Sequence, residues 1–286
     1  MTNNHNHLRD KVVVVTGGAR GIGRATGEAF LRAGAHVALG DIDTELVEKT
    51  AAELAETTGG QVCGLGLDVR SRKSFAAFLD DAESRLGPLD VLVNNAGIMP
   101  TGLFADEDDA VTDRMVAINL GGVLNGSKLA VQRLTGRGGH IINVASLAGV
   151  SGHPGLATYC ATKHAVVGFS ETLHLELADA GIAVTAVLPG IVRTELSAGH
   201  SAPAWLRPIG EVDPGDVAAA IVTAVGARRA RVTVPKALGA MIKTMSLIPE
   251  RTRNRISHAA HFDTAFTNVD PHARDVYHRR INELGT

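Results

Sequence analysis

Short runs of apolar, largely β-branched residues at 12–16, 35–39, 62–67, 91–93, 140–144, 182–188 and 231–234 alternate with stretches of helical periodicity at 21–33, 44–57, 71–86, 113–134 and 158–180. This alternation constrains the fold more than any other feature of the chain. A strand that reads apolar at consecutive positions is covered on both faces, as in a parallel sheet wrapped by helices. Right-handed crossovers then give a doubly wound, Rossmann-like α/β fold of about seven strands. No internal repeat, low-complexity tract or proline-rich linker interrupts the pattern, so residues 11–237 read as one domain preceded by a polar tail at 1–10. Residues 238–286 read as a helical extension of that domain. They hold an apolar cluster (Met241, Ile242, Met245, Leu247, Ile248), then Arg251, Arg253 and Arg255, and a last helical pattern at 270–284. The extension is too short to bury a core of its own.

Composition removes several classes of function. Hydrophobic residues make up 45% and charged residues 20% of the 286, which suits a large core rather than a disordered chain. A formal charge of -2 supplies no broad cationic field, and 3% aromatics leave few platforms for stacking bases; no nucleic-acid partner is expected. Two cysteines, Cys63 and Cys160, form no CxxC pair and no disulfide framework, which suits a reducing cytoplasm. No signal-peptide pattern opens the sequence, and no run reaches the roughly 18–20 apolar residues of a membrane span. The longest apolar stretch, at 217–227, reads as a buried helix. A cytoplasmic protein without a membrane span is expected. Among 12 histidines there is no HExxH, and His258-Ala-Ala-His261 lacks an acidic or thiol companion at ligand spacing, so no metal site is expected.

The first apolar run leads into Thr16-Gly17-Gly18-Ala19-Arg20-Gly21-Ile22-Gly23 and then a helical stretch. A glycine-rich strand-to-helix turn lets backbone approach a pyrophosphate, and the unpaired N–H groups of the helix start meet its charge. The spacing is G-x-x-x-G-x-G rather than the common G-x-G-x-x-G; a turn serving packing only is the alternative. Asp41 stands 18 residues after Gly23, close to the roughly 20 at which a ribose-binding acid is expected. Its carboxylate would accept bonds from the adenosine 2′- and 3′-hydroxyls and repel a 2′-phosphate, which favours NAD over NADP. Arg20 argues the other way, because a guanidinium holds phosphate well. Asp41 alternatively caps the following helix, a task open to Asp43 or Thr44 as well.

Tyr159 and Lys163 are spaced i, i+4 and share one helix face. A free phenol, with a pKa of about 10, is a poor base at neutral pH. A neighbouring ammonium, or a positively charged nicotinamide, is expected to stabilise the phenolate and lower that value. Ser146 stands just beyond the run at 140–144, at the strand end where open α/β sheets bind ligands, so its hydroxyl is placed to hold a substrate oxygen. Tyr159 is therefore expected as acid/base, Ser146 as substrate orienter, and Lys163 as activator of Tyr159 and ribose ligand. Singly, each has a plainer explanation: a strand-end Ser caps a turn, and a Tyr–Lys pair makes a surface contact.

Taken together and in order, these residues resemble the short-chain dehydrogenase/reductase family, in the shorter branch marked by T-G-x-x-x-G-x-G and Y-x-x-x-K. The resemblance runs over about residues 11–235 and also includes Asp68-Val69, Asn94-Asn95-Ala96-Gly97, Asn119 and Pro189-Gly190-x-x-x-Thr194. It implies cofactor contacts from Gly17, Arg20, Gly21, Ile22 and Gly23. It implies that Asp68 binds the adenine amino group and Val69 its ring nitrogen through backbone, with Asn95, Ala96 and Gly97 along the adenosine ribose. Pro189, Gly190, Val192 and Thr194 are implied to surround the nicotinamide. Asn119 is implied to fix a water that joins Lys163 to solvent. The family further implies a homo-oligomer, dimer or tetramer, with 113–134 and 158–180 as contact faces.

The substrate is read from what remains. The irregular stretch at 191–212 follows the nicotinamide motif and carries Leu196, Pro203, Trp205, Leu206 and Ile209; Ile98 and Met99 follow Gly97. These suggest an apolar alcohol or ketone, although loop hydrophobes also pack on their own protein. His153 either touches substrate or sits in the Gly152-His153-Pro154 turn. Cys160 has no base partner at recognisable spacing and reads as packing. The extension reads as a lid over the pocket, an oligomer contact, or a membrane-surface element. The expected activity is NAD-dependent interconversion of a secondary alcohol and a ketone. A dinucleotide-binding regulator without turnover and an NAD-using epimerase or dehydratase are the alternatives.

Overall fold

The computed structural model describes residues 6–197, 210–245, 247–249, 251–252, 255 and 277. The described strands are β1 (Val12–Thr16), β2 (His36–Asp41), β3 (Val62–Gly66), β4 (Val91–Asn94), β5 (Gly139–Val144), β6 (Ile182–Pro189), β7 (Ile191–Val192), β8 (Glu211–Val212) and β9 (Arg231–Val234). The described helices are α1 (Gly21–Arg32), α2 (Thr44–Thr58), α3 (Arg72–Leu86), α4 (Asp109–Val116), α5 (Gly122–Leu134), α6 (Ala157–Glu176), α7 (Pro214–Ala224) and α8 (Lys236–Met245). Seven strands form one sheet in the order β3-β2-β1-β4-β5-β6-β9, and every pairing is parallel. The order reverses beside β1, and the crevice above the β1 and β4 ends is where such sheets bind ligands.

The continuous apolar runs are continuous because both faces are buried. In β1, Val13 and Val15 join the core under α1, α2 and α7, whereas Val14 points into the opposite core with Phe75, Phe78 and Leu79 of α3. β2 and β4 split in the same way, Val37, Leu39, Val91 and Val93 on one face and Ala38 and Leu92 on the other. Each such valine or leucine contributes about 1.5–3 kcal/mol by leaving water. Local chemistry sets the helix ends. Asp43 accepts the Leu46 N–H at the start of α2, Gly59 closes that helix in the left-handed region, and Ser71 accepts the Ser74 N–H to start α3.

Two segments depart from the sequence reading. The stretch 113–134 is not one helix: α4 begins at Asp109, and a π turn at Ala117–Gly121 separates it from α5. The irregular stretch 191–212 has regular ends, where β7 and β8 pair in parallel. Arg193 ties that ribbon to the start of α7 by two hydrogen bonds to the Asp213 carboxylate, at 2.8 and 2.7 Å. Among the described residues no helix is long and apolar enough to cross a membrane, and no cluster of three or more His, Cys, Asp or Glu side chains is arranged for a metal ion. His258 and His261 lie outside the described residues.

Candidate active site

At the C-terminal edge of the sheet, the turn between β1 and α1 packs backbone against backbone. Gly17 has φ +66°, and a Cβ there would stand 2.9 Å from Ala96 Cα. Gly21, at φ +54°, opens α1 facing Thr194. Arg20 at the N-cap makes no side-chain bond to the first turn, the condition in which a helix start receives an anion. Thr16 holds the neighbouring strand end: its Oγ1 accepts the N–H groups of Asn95 and Ala96, both at 3.0 Å. Asn95 Nδ2 answers by donating to the carbonyls of Thr16 and Gly17.

A cavity of about 980 Å³ opens above this edge. Gly17, Arg20, Gly21, Ile22, Asp41, Asp68, Val69, Asn95, Ala96 and Gly97 line one part of it, and Pro189, Gly190, Val192 and Thr194 another. Gly23 does not line it. A Cβ on Gly23 would fall 1.9 Å from the Gly17 carbonyl oxygen, so this glycine folds the turn over the helix start instead of meeting a ligand. Asp41 accepts N–H groups from Ala19 at 3.1 Å and Asp43 at 3.2 Å. Burial raises its pKa, against the pull of those two bonds. Arg20 is held by Asp43 at 2.8 Å and Glu195 at 3.4 Å. Asp68 is gripped through both oxygens by Arg70, at 2.9 and 3.0 Å; although burial opposes it, the Arg70 bonds hold the carboxyl below its usual range.

Ser146, Tyr159 and Lys163 share the middle of the cavity. Ser146 sits just beyond β5, and its Oγ accepts the Ala148 N–H at 3.1 Å. Tyr159 and Lys163 project from the first turns of α6. Lys163 Nζ lies 5.6 Å from the Tyr159 ring centroid and donates to the Val144 carbonyl at 2.9 Å. The electrostatics differ from the sequence expectation. Burial drives the phenol pKa up; the hydrogen bond from Ser146 pulls it down without reversing the direction, and Tyr277 and Cys160 push it further up. Burial brings the Lys163 ammonium down to about 8. Desolvation therefore governs the phenol, and the Lys163 ammonium lies over the ring.

Asn119 does not line the cavity. It is fully buried in the π turn, where its Oδ1 accepts the Ile98 N–H at 2.8 Å and its Nδ2 donates to the Ile98 carbonyl at 2.9 Å. Its direct work is to grip the segment after β4. A second polar brace lies below: Asn94 Nδ2 donates to Asn143 Oδ1 at 2.8 Å, and Asn143 Nδ2 donates to Ser170 Oγ at 2.9 Å. These buried bonds tie together β4, β5 and α6, the elements that carry or border Ser146, Tyr159 and Lys163.

The remaining wall is mostly apolar. Ile98, Met99, His153 and Leu196 line it as the sequence suggested; Trp205 and Leu206 lie outside the described residues. His153 Nε2 bonds Ser151 Oγ at 2.9 Å, and burial lowers its pKa to about 4, so it is neutral at ordinary pH. Cys160 is buried and its thiol is pushed up by that burial, in keeping with packing. Sequence reasoning missed Arg70, Arg114 and His164; Leu238, Met241, Ile242, Met245 and Tyr277 belong to the extension for which a lid over the pocket is one reading, and they line this wall. The apolar cluster in the extension was a signal for the α8 residues; Tyr277 had none.

The model of the short chain dehydrogenase family matches residues 11–204. Over 201 residues, 69% of this chain, the sequence is 42% identical to "Probable oxidoreductase EphD" of Mycobacterium tuberculosis, and the match spans 34% of that longer protein. It is 42% identical over 189 residues to 2-(S)-hydroxypropyl-CoM dehydrogenase 3 of Xanthobacter autotrophicus, covering 65% of this chain and 73% of the relative. The fold matches a short chain dehydrogenase/reductase from Burkholderia phymatum, solved in complex with NAD, with a TM-score of 0.75 and 26% identity over 82% of this chain and 92% of that one. With the all-parallel seven-stranded sheet and the ordered motifs above, the family match is decisive: the chain belongs to the short-chain dehydrogenase/reductase family.

Proposed function

We propose that the protein is an NAD-dependent oxidoreductase that interconverts a secondary alcohol and a ketone. The convergence of Ser146, Tyr159 and Lys163 on one cavity, beside a glycine turn with an uncapped helix start, carries this reading. The residues fit a dinucleotide. The first turn of α1 has no side-chain cap, which leaves its N–H groups for a pyrophosphate, and about 980 Å³ stands at the upper end of the roughly 300–1,000 Å³ of ligand pockets. Gly17, Gly21 and Ile22 would hold the pyrophosphate and Asp41 the adenosine ribose. Asp68 and Val69 would meet the adenine, Asp68 while keeping its bond to Arg70. Asn95, Ala96 and Gly97 would border the adenosine ribose, and Pro189, Gly190, Val192 and Thr194 the nicotinamide.

Once bound, the nicotinamide supplies the hydride acceptor or donor and, when oxidised, a positive charge in the cavity. In oxidation Tyr159 takes the hydroxyl proton of the substrate, and in reduction it gives that proton back. Ser146 hydrogen-bonds the same substrate oxygen. Lys163, with a pKa near 8, exchanges protons around neutral pH and grips the ribose, and Asn119 holds the adjoining backbone in place for a relay water. NAD is preferred over NADP because the cations beside Asp41 and Asp68 are engaged, Arg20 by Asp43 and Glu195 and Arg70 by Asp68, while Asp41 stays in the cavity wall.

The extension at 238–286 belongs to the same unit in this reading, since α8 and Tyr277 complete the cavity wall. A homo-oligomer, dimer or tetramer, accords with the exposed Leu124 on α5 and Leu175 on α6. Free thiols at Cys63 and Cys160 suit the cytoplasm. The test is NADH formation from a panel of secondary alcohols, followed by absorbance. Tyr159→Phe should lower kcat by about 10²–10⁴-fold while NAD affinity stays within about twofold. Turnover retained in that variant removes Tyr159 as the base. Cofactor held tightly without NADH release would replace dehydrogenation with an internal redox cycle of the epimerase type.

A further inference from the structure

Tyr159 and Tyr277 are the only tyrosines in the chain, and both line the same cavity. Tyr277 lies beyond residues 11–204, over which the family model matches, so the chemistry common to the family makes no use of it. Its side chain is buried, with 8% exposure. Its hydroxyl oxygen accepts the N–H of Met99 at 2.8 Å, across 178 residues of sequence. Met99 follows Ile98, whose N–H and carbonyl are both gripped by Asn119. Successive peptide groups after β4 are thus fixed from two sides, by the π turn and by the C-terminal extension. The nearness of the two phenols registers electrostatically, because Tyr277 pushes the Tyr159 pKa upward. Around them the wall is apolar: Met99, Leu196, and Met241 and Ile242 of α8.

We propose that Tyr277 is a substrate-binding residue, whose ring, anchored through its hydroxyl to the Met99 backbone, forms the wall on which the apolar body of a secondary alcohol or ketone packs. The proposal rests on the oxidoreductase reading and names the part of the chain that selects the substrate. An aromatic ring pinned at its polar end loses little freedom when a ligand packs on it. Each methylene buried there is worth roughly fourfold in affinity, so selection rises with the length of the apolar body. Small or charged alcohols gain nothing from this wall.

The two-tyrosine composition makes the test direct. Protein produced with 3-fluorotyrosine carries two fluorine signals, assigned by Tyr277→Phe and Tyr159→Phe. Titration with 2-heptanone at saturating NAD, a pair that cannot react, should move both signals with one dissociation constant. Tyr277→Ala should weaken 2-heptanone by about tenfold and 2-butanone by less than about threefold, with NAD affinity unchanged and the melting temperature recorded for each variant. A Tyr277 signal that stays still while the Tyr159 signal moves overturns the inference and leaves the oxidoreductase reading intact. A ketone series that moves neither signal overturns that reading and the inference with it.

Discussion

Asp41 performs two tasks with one carboxylate. Its oxygens hold the Ala19 and Asp43 N–H groups and so shape the glycine turn, and the same group lies in the cavity wall where an adenosine ribose would rest. Removing the side chain would disturb both. Asp41→Asn removes the negative charge while its single amide oxygen still accepts one of the two N–H groups. That variant should raise the ratio of kcat/KM with NADP to that with NAD by roughly tenfold or more; a ratio unmoved from that of the unaltered protein removes Asp41 from cofactor choice. At this scale the sequence was a good guide wherever a residue's place follows from its neighbours in the chain. Asp41 at a strand end, Tyr159 and Lys163 on one helix face, and Ser146 beyond β5 all fall where spacing puts them. It was a poor guide where partners come from elsewhere. Nothing in the order of residues says that Arg20 would meet Glu195 or that the Tyr277 hydroxyl would take the Met99 N–H.

Among the elements, the π turn at Ala117–Gly121 is the one that periodicity could not reveal. Its residues, Ala-Ile-Asn-Leu-Gly, read like any helix, and single π turns inside helices cluster at functional sites. Asn119 pairs with both polar groups of Ile98 and donates to Thr162 Oγ1 at 3.3 Å, so one side chain links the segment after β4 to α6. Truncating it would take the partner from the half-buried Ile98 N–H and carbonyl, at about 1–2 kcal/mol each. Asn119→Ala should therefore lose about 2–4 kcal/mol in urea denaturation, and it should weaken substrate more than NAD if Ile98 and Met99, which line the cavity, meet the substrate as proposed. A variant of unaltered stability would show that the clamp is dispensable. The strands were legible for the opposite reason: their burial on both faces is written residue by residue in Val12 to Val15 and Ile182 to Leu188.

For the molecule as a whole, one buried histidine ties stability to pH. His140 lies in β5 at 3% exposure. Its Nε2 is 2.9 Å from Thr185 Oγ1 on β6, and that hydroxyl spends its proton on the Arg229 carbonyl at 2.6 Å. The imidazole must then be the donor, carrying its proton on Nε2, which leaves Nδ1 buried with no hydrogen-bond partner among the described residues. Protonating Nδ1 would place a charge in the core near His174 and Arg228. Burial first, and those two groups second, bring the pKa down to about 4. The unfolded chain, with an ordinary histidine pKa of about 6.5, takes up a proton between these limits while the native chain does not. Stability from this site is therefore intact above about pH 6.5 and declines as pH falls toward 4, with a loss of roughly 2–3 kcal/mol between pH 7.5 and 4.5. His140→Gln keeps a donor for Thr185 and removes the titration. Urea unfolding at the two pH values should show a smaller acid loss for the variant by about that amount, whatever its stability at pH 7.5. Equal losses in the two proteins would mean that the histidine is protonated in the native core or reaches water, and that the acid sensitivity of the sheet arises from other groups.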